Sequence, residues 1–356
     1  MNFKRFTVNV ALVLFSVLLT FAALEGALRL YYYNEVDPVG WFRPDPELVF
    51  GNKPGFEMAH KTDEFDVRIK INSEGLRDYE HVKDAHGREV ILGIGDSTTW
   101  GWGAEFEDTY LRQLEKMFDH GNEGRYEVVK AGVCAYDTVD ESKYLVGLVR
   151  RYKPKVVILN FVYNDAADVA WGGIGRYYVC EEGWLKDNTF LTRMSTHTYL
   201  GDILFRRWRE LSTRLKKYGK PLFAHGDGWS WDFTDIYNLN EPAYIKVAWD
   251  KIFKAVKDMD DEARRNGARL VVVAIPEKDT YLQPGEKGYD FSLPGKRLGG
   301  YCTRNSILFY DPMEKLRASG GVGLYYKRDP HLNPSGYKAL AEGVRDYLLA
   351  NGIVQQ

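Results

Sequence analysis

The sequence predicts an α/β protein. Three layers, α/β/α, surround a mostly parallel five-stranded sheet, with an N-terminal transmembrane helix and an aromatic-rich insertion. Three observations carry this. Short apolar runs alternate with longer segments of helical period, the pattern of βαβ units. Val156–Val162 and Leu270–Ile275 are apolar almost throughout, as strands covered on both faces are. Lys4 and Arg5 precede an apolar run from Phe6 to Leu24, about the length that crosses a bilayer as a helix.

Taken in order, the elements are these. The leading run is apolar on all faces, which excludes an amphipathic core helix. Its positive flank favours a cytoplasmic N-terminus and an exported remainder. A cleaved signal peptide has the same flank, but Ala22-Ala23-Leu24-Glu25 is a poor cleavage site. Tyr31 to Pro54 reads as irregular. Glu64 to Asn72 alternates apolar and polar residues, a half-buried strand that can pair with the Phe56 region as a hairpin. Strands follow at Val90–Ile94, Glu127–Val129, Val156–Val162, Leu270–Ile275 and Ile307–Tyr310. Helices are expected at Thr109–Phe118, Asp137–Tyr152, Tyr244–Asn266 (stopped by Gly267) and Ser335–Ala350 (entered through Pro334).

The organisation expected is an anchor or signal segment at 1–30, an extension with a β-hairpin at 31–88, and a main domain at 89–352. The stretch at about 166–240 breaks the rhythm and reads as an insertion. It holds Trp171, Tyr177, Tyr178, Trp184, Tyr199, Trp208, Trp229 and Trp231.

With 356 residues and a net charge of -2, the chain lacks the basic excess of a nucleic-acid binder. Three cysteines, Cys134, Cys180 and Cys302, have no metal-site spacing. Cys134 reads as a core residue, and Cys180 and Cys302 as loop residues able to pair in an oxidising compartment.

In sheets of this kind, reactive groups gather at the carboxyl ends of strands. Gly95-Asp96-Ser97 follows the first of the five strands, where a serine exposes its hydroxyl beside turn amides that can stabilise an oxyanion. Asp329-Pro330-His331 lies just before the last helix and offers a base with a carboxylate to orient it. Asn164 follows the strand at Val156–Val162, and Gly132 ends the strand before it. Each alone also reads as a turn residue.

Together these blocks resemble the SGNH hydrolases, the GDSL-type esterases and lipases. Gly95-Asp96-Ser97-Thr98-Thr99 is similar to their first block, Gly132 to the second-block glycine, Asn164-Asp165 to the third, and Asp329-Pro330-His331 to the fifth. The resemblance implies a flavodoxin-like sheet and ester hydrolysis through an acyl-enzyme. It implies Ser97 as nucleophile, His331 as base and Asp329 as its orienting acid. It places the oxyanion hole at the amides of Ser97 and Gly132 and the side chain of Asn164, with no metal or cofactor.

Two features depart from the family. Asp and His usually lie three apart, where Arg328 stands here, and Val162 replaces a glycine two residues before Asn164. The segment Asn72 to Arg77 is similar to one ahead of the domain in exported bacterial relatives. There Arg77 either meets a substrate carboxylate or pairs with Asp78 or Glu80.

The expected substrate is an ester or acylated glycan, such as O-acetylated cell-envelope polysaccharide, met by a single-pass enzyme of the inner membrane with a periplasmic catalytic domain. An O-acetyltransferase using the same triad is one alternative, although in the alginate-acetylating relatives the Asp-His motif precedes the serine. A non-catalytic carbohydrate-binding or assembly protein on the same fold is another.

Overall fold

The computed structural model describes residues 3–32, 40–81, 87–122, 124–188, 198, 200, 201, 203, 204, 207, 233–282 and 287–355. Tyr199, Trp208, Trp229 and Trp231 of the expected insertion lie outside them. The chain divides into two compact units.

The first unit comprises Met1–Gly40 and Arg176–Ser230. Its main element is helix α1, Phe3–Tyr32. The stretch Arg5–Leu30 is long and apolar enough to cross a membrane, and its apolar side chains from Phe6 to Phe21 are exposed, whereas Glu25 is buried. At 1.5 Å per residue its 26 residues span about 39 Å, more than a hydrocarbon core of about 30 Å. The unit also holds a short hairpin that carries Tyr177, Tyr178 and Trp184 on or beside its strands (Tyr177–Val179 and Leu185–Asp187).

The second unit, Trp41–Gly175 with Trp231–Gln356, holds the sheet. It opens with two antiparallel hairpins, β1 (Phe42–Asp45) with β2 (Val49–Asn52), and β3 (Glu57–Lys61) with β4 (Asp66–Lys70). Then come β5 (Glu89–Gly95), α2 (Ser97–Trp100), α3 (Tyr110–Asn122), β6 (Tyr126–Gly132), α4 (Thr138–Tyr152), β7 (Val156–Val162) and α5 (Asp165–Ala170). Numbering β8 and β9 as the hairpin of the first unit, the chain continues with α6 (Ala243–Arg265), β10 (Arg269–Ile275), α7 (Asp279–Leu282), α8 (Leu293–Arg304), β11 (Leu308–Tyr310), α9 (Met313–Ala318) and α10 (Pro334–Ala350).

The five-stranded sheet is parallel throughout, in the order β11-β10-β7-β5-β6. This is the doubly wound order 2-1-3-4-5 read from the other edge. The continuous apolar strands are explained by burial on both sides. Leu92, Leu159 and Val272 face a layer with Leu145, Trp249, Ile252 and Leu298. Ile91, Ile158 and Val273 face the opposite layer with Leu111, Leu114, Leu340 and Val344. The α/β class, the five strands and their parallel direction are as the sequence predicts.

Three readings differ. Residues 42–52, read as irregular, form a hairpin whose Phe42, Phe50 and Asn52 are buried. Leu293–Arg304 is a helix despite one proline and three glycines, because tertiary burial of Leu298 and Cys302 overrides poor propensity. Cys302 is therefore a helical core residue, not a loop residue. All three cysteines are free thiols.

Candidate active site

Ser97 is carried by a tight turn at the carboxyl end of β5. Asp96 caps α2, its Oδ1 accepting from the Thr98 N–H at 2.8 Å. Two amides, Gly101 and Trp102, donate back to the Ser97 carbonyl at 2.9 and 3.0 Å. Gly101 closes the turn at φ 90°, a left-handed conformation that favours glycine. Arg77 fixes the far end. It is buried and donates to the carbonyls of Trp100, Gly101 and Ala104 at 3.2, 2.5 and 2.6 Å, with its guanidinium over the Trp100 ring. It thus binds neither of the acidic neighbours expected for it. Its partners are carbonyls that only the folded turn brings together.

His331 arrives from the other end of the chain. Its carbonyl accepts from the Tyr326 N–H at 3.1 Å, and Tyr325 pairs with Leu332 as a bridge. Lys278 ties the same loop through the carbonyls of Tyr326 and Lys327, at 2.7 and 2.6 Å. Asn333 then caps α10, with Pro334 in its first turn. His331 Nε2 stands 2.8 Å from Ser97 Oγ. Its Nδ1 stands 2.6 Å from Asp329 Oδ1.

The spacing of two between Asp329 and His331 has a physical explanation. Asp329 Oδ1 also accepts the His331 backbone N–H at 2.9 Å, forming an Asx turn that folds the carboxylate back onto the ring. Burial works against the Asp329 charge. Hydrogen bonds from His331 and Trp102 outweigh it and hold this carboxyl below its usual range.

Two supporting residues were not singled out in the sequence. Trp102 Nε1 donates to Asp329 Oδ2 at 3.0 Å, while its ring stacks on His331. Glu64, in the turn of the β3–β4 hairpin, accepts from the amides of Arg328 and Asp329 at 2.9 and 2.7 Å. The aromatic surroundings of His331 are thus Trp102 and, packed around it, Trp41, His60, Phe65 and Trp100. Two of them, Trp100 and Trp102, lie within five residues of Ser97 in the sequence, outside the aromatic-rich stretch at 166–240.

Asn164 leaves the end of β7, and its Nδ2 donates to Asp168 Oδ2 at 2.8 Å. It shares with Ser97 and His331 a cavity of about 180 Å³, which Val162, Ile275 and Glu277 also line. Gly132 is not among the lining residues. Its lack of a side chain is explained by packing: a Cβ there would come within 2.1 Å of the Trp100 nitrogen.

Beneath Ser97 lies a set of buried acids on three elements: Asp96, Asp137, Asp140, Glu141 and Asp165. Burial pushes Asp96 up to about 6, and burial with the neighbouring Asp140 pushes Asp137 up to about 7. Glu141 is raised well above the usual carboxyl range by burial and by the nearby Asp96, and Asp165 by burial and by the nearby Glu141. The Asp165 Oδ2 accepts from Thr138, at 2.6 Å. Among the described residues no cluster is suited to a metal ion.

No protein-family model and no curated protein matches the chain. Several solved structures are similar in architecture. One is the crystal structure of TesA, with a TM-score of 0.44 and 15% identity, covering 75% of this chain and 100% of that one. A putative lipolytic protein of the G-D-S-L family from Desulfitobacterium hafniense has a TM-score of 0.42 and 15% identity, covering 73% and 100%. A catalytic mutant of Axe2, an acetylxylan esterase from Geobacillus stearothermophilus, has 0.43 and 14%, covering 75% and 97%.

Proposed function

We propose that this chain is a serine ester hydrolase of the SGNH/GDSL type that works through an acyl-enzyme. The observation that carries this reading is the hydrogen-bonded row from Ser97 Oγ through His331 to Asp329 at the carboxyl edge of a parallel sheet. With Nδ1 donating its proton to Asp329, the lone pair of Nε2 faces the serine hydroxyl.

The chemistry follows from that arrangement. Ser97 Oγ attacks the ester carbonyl carbon as its proton passes to His331 Nε2. The carbonyl oxygen becomes an oxyanion, stabilised by the Ser97 amide and the Asn164 side chain. Collapse breaks the bond to the alcohol oxygen, which leaves with the proton from Nε2. Water, deprotonated by the same nitrogen, then releases the carboxylic acid and restores Ser97. Asp329 holds the ring in the required tautomer and offsets the imidazolium charge.

The apolar surface of α1 supports a single-pass anchor in the inner membrane, with Lys4 and Arg5 on the cytoplasmic side and the catalytic unit in the periplasm. O-acetyl groups on cell-envelope polysaccharide are the substrates such an enzyme would meet.

A fluorophosphonate probe tests the reading. Labelling of the full-length chain, lost in Ser97→Ala and in His331→Ala, is the expected result. A folded wild-type protein that resists the probe and hydrolyses no ester of a panel graded by acyl length overturns it. Faster acyl transfer to an added sugar than to water would make the same site an acyltransferase.

A further inference from the structure

We propose that Glu277 is a specificity residue that binds a hydroxyl on the alcohol half of the ester, so that the substrate is an acylated sugar or polyol and not a simple alkyl ester. This rests on the ester-hydrolase reading above and adds to it the residue that would select a hydroxylated substrate.

The sheet itself places the residue. Ser97, Asn164 and Glu277 each lie two residues beyond the end of a strand, on β5, β7 and β10. These strands are neighbours in the order β10-β7-β5. Ile275 pairs with Val162, so Glu277 and Asn164 leave the sheet at the same level. Strand spacing puts the backbones at Glu277 and Ser97 roughly 10 Å apart, with Asn164 between them. All three line the one cavity. An ester whose carbonyl sits at Ser97 therefore extends past Asn164 toward Glu277.

The wall at that end is otherwise apolar: Val162, Ile275, Pro276, Tyr325 and Leu332. Glu277 interrupts it. Its Oε2 accepts from Tyr237 at 2.8 Å, which fixes the side chain. Its Oε1 takes no hydrogen bond from the described residues. A carboxyl that lines a small cavity, with one oxygen held by a tyrosine and the other taking no bond from the described residues, is a preoriented partner for a hydroxyl. Burial pushes this carboxyl up to about 7. Near neutrality it is thus present both as an acceptor and as an acid able to donate, and either form hydrogen-bonds an alcohol. A site built this way discriminates strongly, because an analogue without the hydroxyl leaves a desolvated polar group unpaired.

Two acetate esters of similar ring size test the proposal on the full-length chain: a methyl mono-O-acetyl-glucopyranoside and cyclohexyl acetate. The expected result is that Glu277→Leu lowers kcat/KM on the sugar ester by about tenfold or more and leaves cyclohexyl acetate within about twofold. Glu277→Gln, which keeps a hydrogen-bonding group and an acceptor for Tyr237, should retain the wild-type preference. Tyr237→Phe, which loosens the carboxyl without removing it, should weaken the preference but less than Glu277→Leu does, and an unchanged rate on cyclohexyl acetate guards against loss of folding in the leucine variant. Equal losses on both esters, no change on either, or a selective loss on hydroxyacyl esters over plain acyl esters each overturns the proposal. Wild-type protein that neither labels with fluorophosphonate nor cleaves either ester would instead overturn the hydrolase reading beneath it.

Discussion

The indole of Trp102 lies across the imidazole of His331, with ring centroids 5.2 Å apart and planes 25° from parallel, and its N–H holds the oxygen of Asp329 that His331 does not use. One side chain thereby restrains both partners of the proposed base. Trp102→Phe keeps the stack and removes the donor. It should lower kcat by about tenfold, the loss expected for one hydrogen bond to a charged group, with KM and the thermal midpoint little changed. Trp102→Leu should fall further. Steady-state kinetics beside thermal melts check the order.

Asp329→Asn should keep the fold and lower kcat by about 10³–10⁴, because an amide no longer fixes the Nδ1–H tautomer. Single-turnover acylation measures this directly. A loss below about tenfold would move the orienting role away from Asp329.

The acids beneath Ser97 predict a particular pH dependence. Their folded-state pKa values are raised, so the protonated forms favour the folded state. Their contribution is full below the unfolded carboxyl range near about 4 and is lost as pH rises through about 6 for Asp96 and about 7 for Asp137. Both Glu141 carboxyl oxygens are buried with no hydrogen-bond partner among the described residues. Glu141→Gln imitates the protonated acid without needing the proton. Its advantage over wild type should be small at pH 5 and grow by up to about 1.4 kcal/mol per pH unit toward pH 8. Melting curves of both proteins across that range test the trend.

Glu64 reaches the loop that carries Asp329 and His331 through backbone amides. Glu64→Ala should therefore reduce kcat by roughly three- to tenfold by loosening Asp329, with little effect on melting because this residue is only half-buried. Its effect should largely vanish in an Asp329→Ala background, as a double-mutant cycle would record.

Gly132→Ala forces a methyl against the backbone between Thr99 and Trp100. A destabilisation of about 1–3 kcal/mol is expected, together with slower fluorophosphonate labelling, since α2 carries Ser97. Denaturant titration and labelling rates report the two effects separately.

By itself the sequence determined the sheet. The apolar runs of β5, β7 and β10 and the helical periods between them are local patterns, and a parallel sheet buried on both faces is what they permit. The short blocks around Ser97, Asn164 and His331 were legible for the same reason: each is a strand end or helix entrance with its own local signature. The tertiary structure alone decided which residues surround them. Trp102 meets Asp329 across more than two hundred residues of chain. Arg77 found backbone carbonyls instead of a carboxylate, the missing side chain at Gly132 makes room for α2, and α8 formed against its own propensity. Periodicity reports which face of a segment is buried. Which atoms then meet across the core is set by strand order, register and packing, and no short segment contains that information.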